Sequence, residues 1–197
     1  MGSLPNILTM ARIAVIPVLV ALFYVGGTIG AWLACVVFVL AGVTDYLDGA
    51  IARRRSQLSA FGRVLDPIAD KMLVAAALLM LAGFGRIAGY ELIPAAIILC
   101  REIVVSGLRE FLAELNVPLP VTQLAKWKTA LQIVAIAFLI APDVPSLQFH
   151  TIGGIGLWIA AALTLVTGWD YARAAVGPIR RADTPAEAPP ARARTQP

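Results

Sequence analysis

Charge is what this chain has least of. Of its 197 residues only 14% are Asp, Glu, Lys or Arg, against about 25% in a soluble domain. Apolar residues make up 59% and mean hydropathy is +0.82, so a soluble globule and a disordered chain are both excluded and the bilayer is the natural solvent. Cysteine is scarce as well. Cys35 and Cys100 are the two in the chain, which excludes a disulfide scaffold. Both lie in apolar runs with no second Cys or His within ligand spacing, so they read as small buried hydrophobes. Histidine occurs once, at His150. The formal charge of +4 would raise nucleic acid as a partner of a soluble chain, but here the distribution of charge carries the meaning and no nucleic-acid partner is expected.

Apolar runs and their breakers predict an all-α integral membrane protein with six transmembrane helices, at about 7–25, 31–52, 66–84, 92–112, 121–141 and 151–172, each near the ~20 residues a helical span requires. Turns at 26–30, 83–89 and 142–146 separate them. The first run contains Arg12 and Pro17 and no basic stretch precedes it, which argues against a cleaved signal peptide. Of the 16 basic residues, all but Arg86 fall near Arg12, in 53–71, in 101–128 or in 173–194. By the positive-inside rule those segments and both termini are cytoplasmic. Residues 1–175 read as one six-helix domain with a cytoplasm-facing polar cavity. Residues 176–197, rich in Pro, Ala and Arg, read as a disordered cytoplasmic tail. Trp32, Trp158, Trp169, Tyr24 and Tyr90 lie near span ends as an interfacial belt. Asn6, Thr9 and Arg12 form a lead-in to the first span, and Arg54 and Arg55 are orientation anchors.

Function turns on ionisable residues where lipid disfavours them. Asp45, Asp48, Asp66 and Asp70 are four of the 12 acids in the chain, and an Asp at a helix centre costs about 2.5–3.5 kcal/mol on insertion scales. Asp45, Asp48, Gly49, Ala52 and Arg53 follow at i, i+3, i+4, i+7 and i+8, one face of the second helix. Gly62, Asp66 and Asp70 are i, i+4 and i+8 on the third. Four carboxylates converging without a counter-ion would repel one another, so this pattern calls for a cation. Oxygen ligands select Mg2+, Mn2+ or Ca2+ over Zn2+. Gly49 and Ala52 leave room on that face, and Arg53 offers a guanidinium suited to phosphate oxygens. An ion transporter with an Asp-cluster transit site is the competing class. It would need charged or broken-helix residues continuing through the far halves of the spans.

The run Asp45-x2-Asp48-Gly49-x2-Ala52-Arg53-x8-Gly62-x3-Asp66-x3-Asp70 resembles, without a departure, the signature of the CDP-alcohol phosphatidyltransferase family. Stretches 5–12, 65–71, 101–110 and 126–129 extend the similarity to the bacterial phosphatidylglycerophosphate synthases within it. The resemblance covers residues 1 to about 175. It implies a transferase of phospholipid biosynthesis in the bacterial inner membrane, moving the phosphatidyl group of CDP-diacylglycerol to sn-glycerol 3-phosphate with release of CMP. It also implies two Mg2+ or Mn2+ ions held by Asp45, Asp48, Asp66 and Asp70, with Asp70 as general base. Asp48, Gly49, Ala52, Arg53, Gly62 and Asp66 match positions associated with the nucleotide and its diphosphate. The expected partners are the two substrates, membrane lipid and a second copy of the chain as a homodimer.

The signature reads only the donor, and cardiolipin, inositol-phosphate and serine types of acceptor share it. For the acceptor, span four carries Arg101, Glu102, Ser106 and Arg109, the last three on one face, and Lys126 and Lys128 open span five. Cations plus a hydroxyl at the cytoplasmic mouth suit a phosphorylated alcohol. Arg101, Ser106, Arg109, Lys126 and Lys128 are therefore the expected ligands of its phosphate. His150 lies in a far-side loop and is excluded as the base.

Overall fold

A computed structural model describes the backbone over residues 4–52, 60–115, 117, 123–144 and 147–183, with side chains at 10–44, 68–69, 71–113, 115, 117, 123–144 and 147–177. Its elements are α1 (Leu4–Val25), α2 (Gly27–Ala52), α3 (Ala60–Gly83), a 3-10 turn at Gly89–Glu91, α4 (Leu92–Glu114), α5 (Gln123–Ile140) and α6 (Phe149–Asp183). Among the described residues there is no β-strand beyond one isolated bridge, Val144 to Leu147.

Turn chemistry fixes the hairpins. Gly26, with φ +65°, alone separates α1 from α2, so α2 starts earlier than the expected 31. At the end of α3, Gly85 adopts φ +69°. Its N–H bonds the Ala82 carbonyl at 3.1 Å, and the Arg86 N–H bonds the Leu81 carbonyl at 2.8 Å. That pair of bonds is a Schellman closure, which requires a residue free to enter the left-handed region.

The six helices close into a ring in the order α1, α3, α4, α6, α5, α2 and back to α1, each packed on its two neighbours. Leu19, Phe38, Leu78, Leu81, Ile98, Ile136, Leu139 and Leu157 fill the interior and are fully buried. Small residues let α5 and α6 approach closely. A Cβ on Gly153 would stand 2.7 Å from Leu139 Cγ, and one on Gly156 would stand 3.0 Å from Ala135 Cβ. In lipid such close packing replaces the hydrophobic drive that water would supply. The outer faces are apolar too, with Leu79, Ile103, Val104, Ile155 and Leu165 exposed, as a surface facing acyl chains requires.

Among the described residues, Gly27–Thr44, Gln123–Ile140 and Phe149–Gly177 are long and apolar enough to cross a membrane, with shorter apolar runs at Met10–Val25 and Lys71–Gly83. The chain is thus an all-α membrane protein. Helix α4 carries Arg101, Glu102 and Arg109 within its length, which interrupts its apolar run. Helix α6 has 35 residues, about 50 Å at 1.5 Å per residue, so it outruns a hydrocarbon layer of about 30 Å. Its last turns reach Asp183. Residues 176–183, expected as the start of the disordered tail, are therefore helical. Residues 184–197 lie outside the described part.

Contacts sort the molecule into two ends. At one, the Phe84 ring lies 5.7 Å from Phe23 and 5.2 Å from Tyr24, and Phe149 packs edge-on against Trp32 and Phe138. These contacts join the end of α1, the start of α2, the end of α3, the end of α5 and the start of α6. By alternation, the end of α2, the start of α3, the end of α4, the start of α5 and the later turns of α6 share the other end, where the signature residues fall.

Candidate active site

Asp45, Asp48, Gly49 and Ala52 occupy the last turns of α2, and Gly62, Asp66 and Asp70 the first half of α3. The helical backbone makes their sequence spacing a true facial register on each helix. Arg53 lies outside the described residues, as do the side chains of the four aspartates. Beside the signature, Arg12 of α1 is buried to 4% exposure. It lines, with Ala11, Val15, Val37, Leu40, Ala41 and Thr44, a cavity of about 220 Å³ between α1 and α2. Thr44 immediately precedes Asp45.

A second polar group forms where α4, α5 and α6 meet. Lys128, 3% exposed, pairs with Glu102. Arg101 reaches the same carboxylate oxygen at 3.4 Å, and its Nη2 donates to Thr167 Oγ1 at 2.9 Å. The stem of Arg101 passes over Gly168, where a Cβ would come within 3.2 Å of Arg101 Cγ. Arg109 Nη2 donates to the Tyr171 hydroxyl at 3.0 Å, with its guanidinium 5.0 Å from that ring centroid. Lys71 stands next to Asp70 on α3, which packs against α4, the helix of Arg101 and Glu102. That packing joins the signature helix to the cationic group.

The structure thus gathers Arg101 and Lys128 around Glu102, and Arg101 and Arg109 around Tyr171. Ser106 is half-buried on the same helix. Lys126 is exposed, two residues from Lys128 and so on nearly the opposite side of α5. The face expected to hold Glu102, Ser106 and Arg109 together is divided. Glu102 turns to α5, whereas Arg109 turns to α6. Thr167 and Tyr171 did not stand out in the sequence. Their i, i+4 spacing on α6 was the available signal, but only the approach of α4 gives it meaning.

Buried polar atoms are left over here. Arg101 Nε, Gln132 Oε1 and Thr164 Oγ1 have no hydrogen-bond partner among the described residues, and each such orphan costs about 1–3 kcal/mol if it stays unpaired. Gln132 lies one turn beyond Lys128, and Thr164 one turn before Thr167. Water or a polar ligand has to satisfy them. A polar group with several cations around the Glu102 carboxylate and unspent hydrogen-bonding capacity is chemically matched to an anion.

The CDP-alcohol phosphatidyltransferase family model matches residues 2–166. The chain is 47% identical over 88% of its length to the CDP-diacylglycerol–glycerol-3-phosphate 3-phosphatidyltransferase of Rickettsia typhi, covering 97% of that protein. It is 40% identical to the protein of the same name from Cereibacter sphaeroides, over 88% of this chain and 96% of that one. A plant relative, CDP-diacylglycerol–glycerol-3-phosphate 3-phosphatidyltransferase 2 of Arabidopsis thaliana, is 39% identical over 83% of this chain and 75% of its own. A match of that extent takes in both the signature helices and the cationic group on α4, α5 and α6, and the chain belongs to the CDP-alcohol phosphatidyltransferase family.

Proposed function

We propose that this protein transfers the phosphatidyl group of CDP-diacylglycerol to the 1-hydroxyl of sn-glycerol 3-phosphate, giving phosphatidylglycerophosphate and CMP. The observation that carries the reading is the packing of α3, the helix bearing Asp66 and Asp70, against α4, whose Arg101 and Glu102 form with Lys128 a cation-rich group suited to a phosphomonoester. The names of the relatives point the same way.

The roles divide between the two groups. Asp48, Gly49, Ala52, Arg53, Gly62 and Asp66 take the nucleotide and its diphosphate, small residues giving access and Arg53 meeting oxygens. Arg101, Ser106, Arg109 and Lys128 take the acceptor phosphate, Arg109 as a bidentate fork, whereas Lys126, exposed on nearly the opposite side of α5, is not placed with them. Asp70 receives the proton of the attacking hydroxyl. The new oxygen–phosphorus bond forms as the bond to the CMP oxygen breaks.

The family generally depends on divalent metal, and the donor set fits it. Asp45, Asp48, Asp66 and Asp70 offer only hard carboxylate oxygens, and no His or Cys occurs between residues 40 and 75. Those four residues would hold two Mg2+ or Mn2+ ions. When bound, the ions supply neutralisation of diphosphate charge and stabilisation of the leaving CMP.

All six helices cross the bacterial inner membrane in this reading, with both termini cytoplasmic because the basic residues cluster at the signature end. The six-helix unit spans residues 1–175, with the rest of the chain in the cytoplasm, and a second copy of the chain is its neighbour in a homodimer. The transporter alternative finds no support. In the half away from the signature, Leu19, Leu81, Ile98, Leu139, Ile140 and Leu157 are fully buried and no buried polar path continues among the described residues.

The purified protein, in vesicles containing CDP-diacylglycerol and Mg2+, is expected to release one CMP for each labelled glycerol 3-phosphate that enters lipid. CMP release without any such incorporation would remove this acceptor from the reaction.

A further inference from the structure

We infer that Tyr171 of α6 is a positioning residue, holding the guanidinium of Arg109 in the orientation that receives the acceptor's phosphate dianion. The inference rests on the acceptor reading above and adds to it a residue from a different helix. Tyr171 is 5% exposed, so its ring is fixed by packing rather than free to follow a ligand. Its hydroxyl accepts from Arg109 Nη2 at 3.0 Å, and its ring lies 5.0 Å from the Arg109 guanidinium and 5.8 Å from that of Arg101.

The chemistry explains why a tyrosine stands there. Arg101 and Arg109 are eight residues apart on α4, on one side of the helix, and two like charges on long stems repel each other and extend into water when nothing holds them. A ring face draws both cations inward. The phenol oxygen occupies one of the five N–H donors of Arg109 and leaves the others for a ligand. A carboxylate at this position would orient the fork equally well but cancel its charge, as Glu102 does for Lys128. A neutral acceptor orients it and leaves the positive charge for the dianion. Arg101, which also reaches Glu102 at 3.4 Å, is oriented one turn earlier on α6 by the neutral hydroxyl of Thr167.

The test is a two-substrate titration of the full-length protein in lipid vesicles, comparing wild type, Tyr171→Phe, Tyr171→Leu, Arg109→Ala and the Tyr171→Phe/Arg109→Ala pair. Tyr171→Phe keeps the ring and loses the hydroxyl. Its KM for glycerol 3-phosphate should rise about three- to tenfold. Its kcat and its KM for CDP-diacylglycerol should stay within about twofold, as expected when binding of one substrate alone is weakened. Tyr171→Leu, lacking the ring as well, should show a larger rise in the same constant. With Arg109 already Ala, Tyr171→Phe should change nothing further, because residues acting through one another do not add. If Arg109→Ala leaves the glycerol 3-phosphate KM unchanged, the acceptor reading itself fails. If Arg109→Ala raises that KM but Tyr171→Phe leaves it alone, shifts all constants together or adds in full to Arg109→Ala, the positioning role fails by itself. Should Tyr171→Leu not fold, the Phe variant and its pair with Arg109→Ala still decide the matter.

Discussion

The two ends of the helical ring both carry charge, but they use it differently. At the end away from the signature, Arg86 Nη2 donates to the carbonyl of Ala141 at 3.1 Å and Nη1 lies 3.7 Å from Asp143. His150 Nε2 is 2.6 Å from the Arg86 carbonyl and 3.5 Å from Glu91. Those groups tie the turn after α3 to the turn before α6, and each meets a partner supplied by the fold. At the signature end, Arg101, Gln132 and Thr164 keep buried polar atoms without partners among the described residues, and Arg101 and Lys128 share one carboxylate, that of Glu102. Charge satisfied by the chain itself is architecture. Charge and hydrogen bonds left over in the interior are capacity for a polar ligand, and they lie at the end that carries the signature.

Substitutions at the signature end should break function while those at the other end trim stability. The largest effect is expected for Asp48→Ala and Asp66→Ala. Each should lose incorporation of labelled glycerol 3-phosphate by more than the roughly 10–100-fold that outer partners of metal sites cost, with the protein still inserted in the membrane. Excess EDTA should do the same to wild type, and added Mg2+ or Mn2+ should reverse it. Turnover undiminished by the chelator would contradict the metal assignment.

Next is Asp70→Asn, which keeps the shape of the side chain and one ligand oxygen but cannot take a proton. Its kcat should fall by about 10²–10⁴, the range of a general base, with CDP-diacylglycerol binding largely retained. Equal loss of both would make Asp70 a metal ligand first. Arg109→Lys keeps charge and loses the planar fork. Glycerol 3-phosphate affinity should drop about 10–100-fold, the worth of one or two hydrogen bonds to a charged group, with the CDP-diacylglycerol KM unmoved. The reverse pattern would transfer Arg109 to the donor.

The smallest effect is expected at the far end. Asp143 is half exposed, and an exposed pair contributes about 0.2–1 kcal/mol. Asp143→Ala should therefore lower the midpoint of thermal unfolding by only a few degrees and leave turnover alone. A large loss of activity there would erase the contrast between the ends.

Much of the fold was legible because apolar runs and breakers mark helices in lipid. The misplaced boundaries share one cause. Helix α3 begins at Ala60 and α6 ends at Asp183, beyond the apolar windows, because hydropathy reports the solvent around a helix and backbone hydrogen bonding sets its length. The signature was readable since its residues lie on two helices adjacent in sequence, at fixed spacing. The partners of Arg101 and Arg109 were not. Thr167 and Tyr171 sit more than sixty residues away in the chain, and periodicity within one helix carries no record of which neighbour it meets. Lys126 and Lys128 show the same limit. Both are basic and both open α5, yet only the packing of α4 decides that Lys128 is buried against Glu102 and Lys126 is exposed.

The most direct test of the whole account offers the purified protein, in CDP-diacylglycerol vesicles with Mg2+, four labelled acceptors in parallel: glycerol 3-phosphate, inositol phosphate, serine and phosphatidylglycerol. The account predicts label in lipid with glycerol 3-phosphate alone, abolished by Asp66→Ala and preserved in Asp143→Ala. Incorporation of a different acceptor in preference to glycerol 3-phosphate would contradict it.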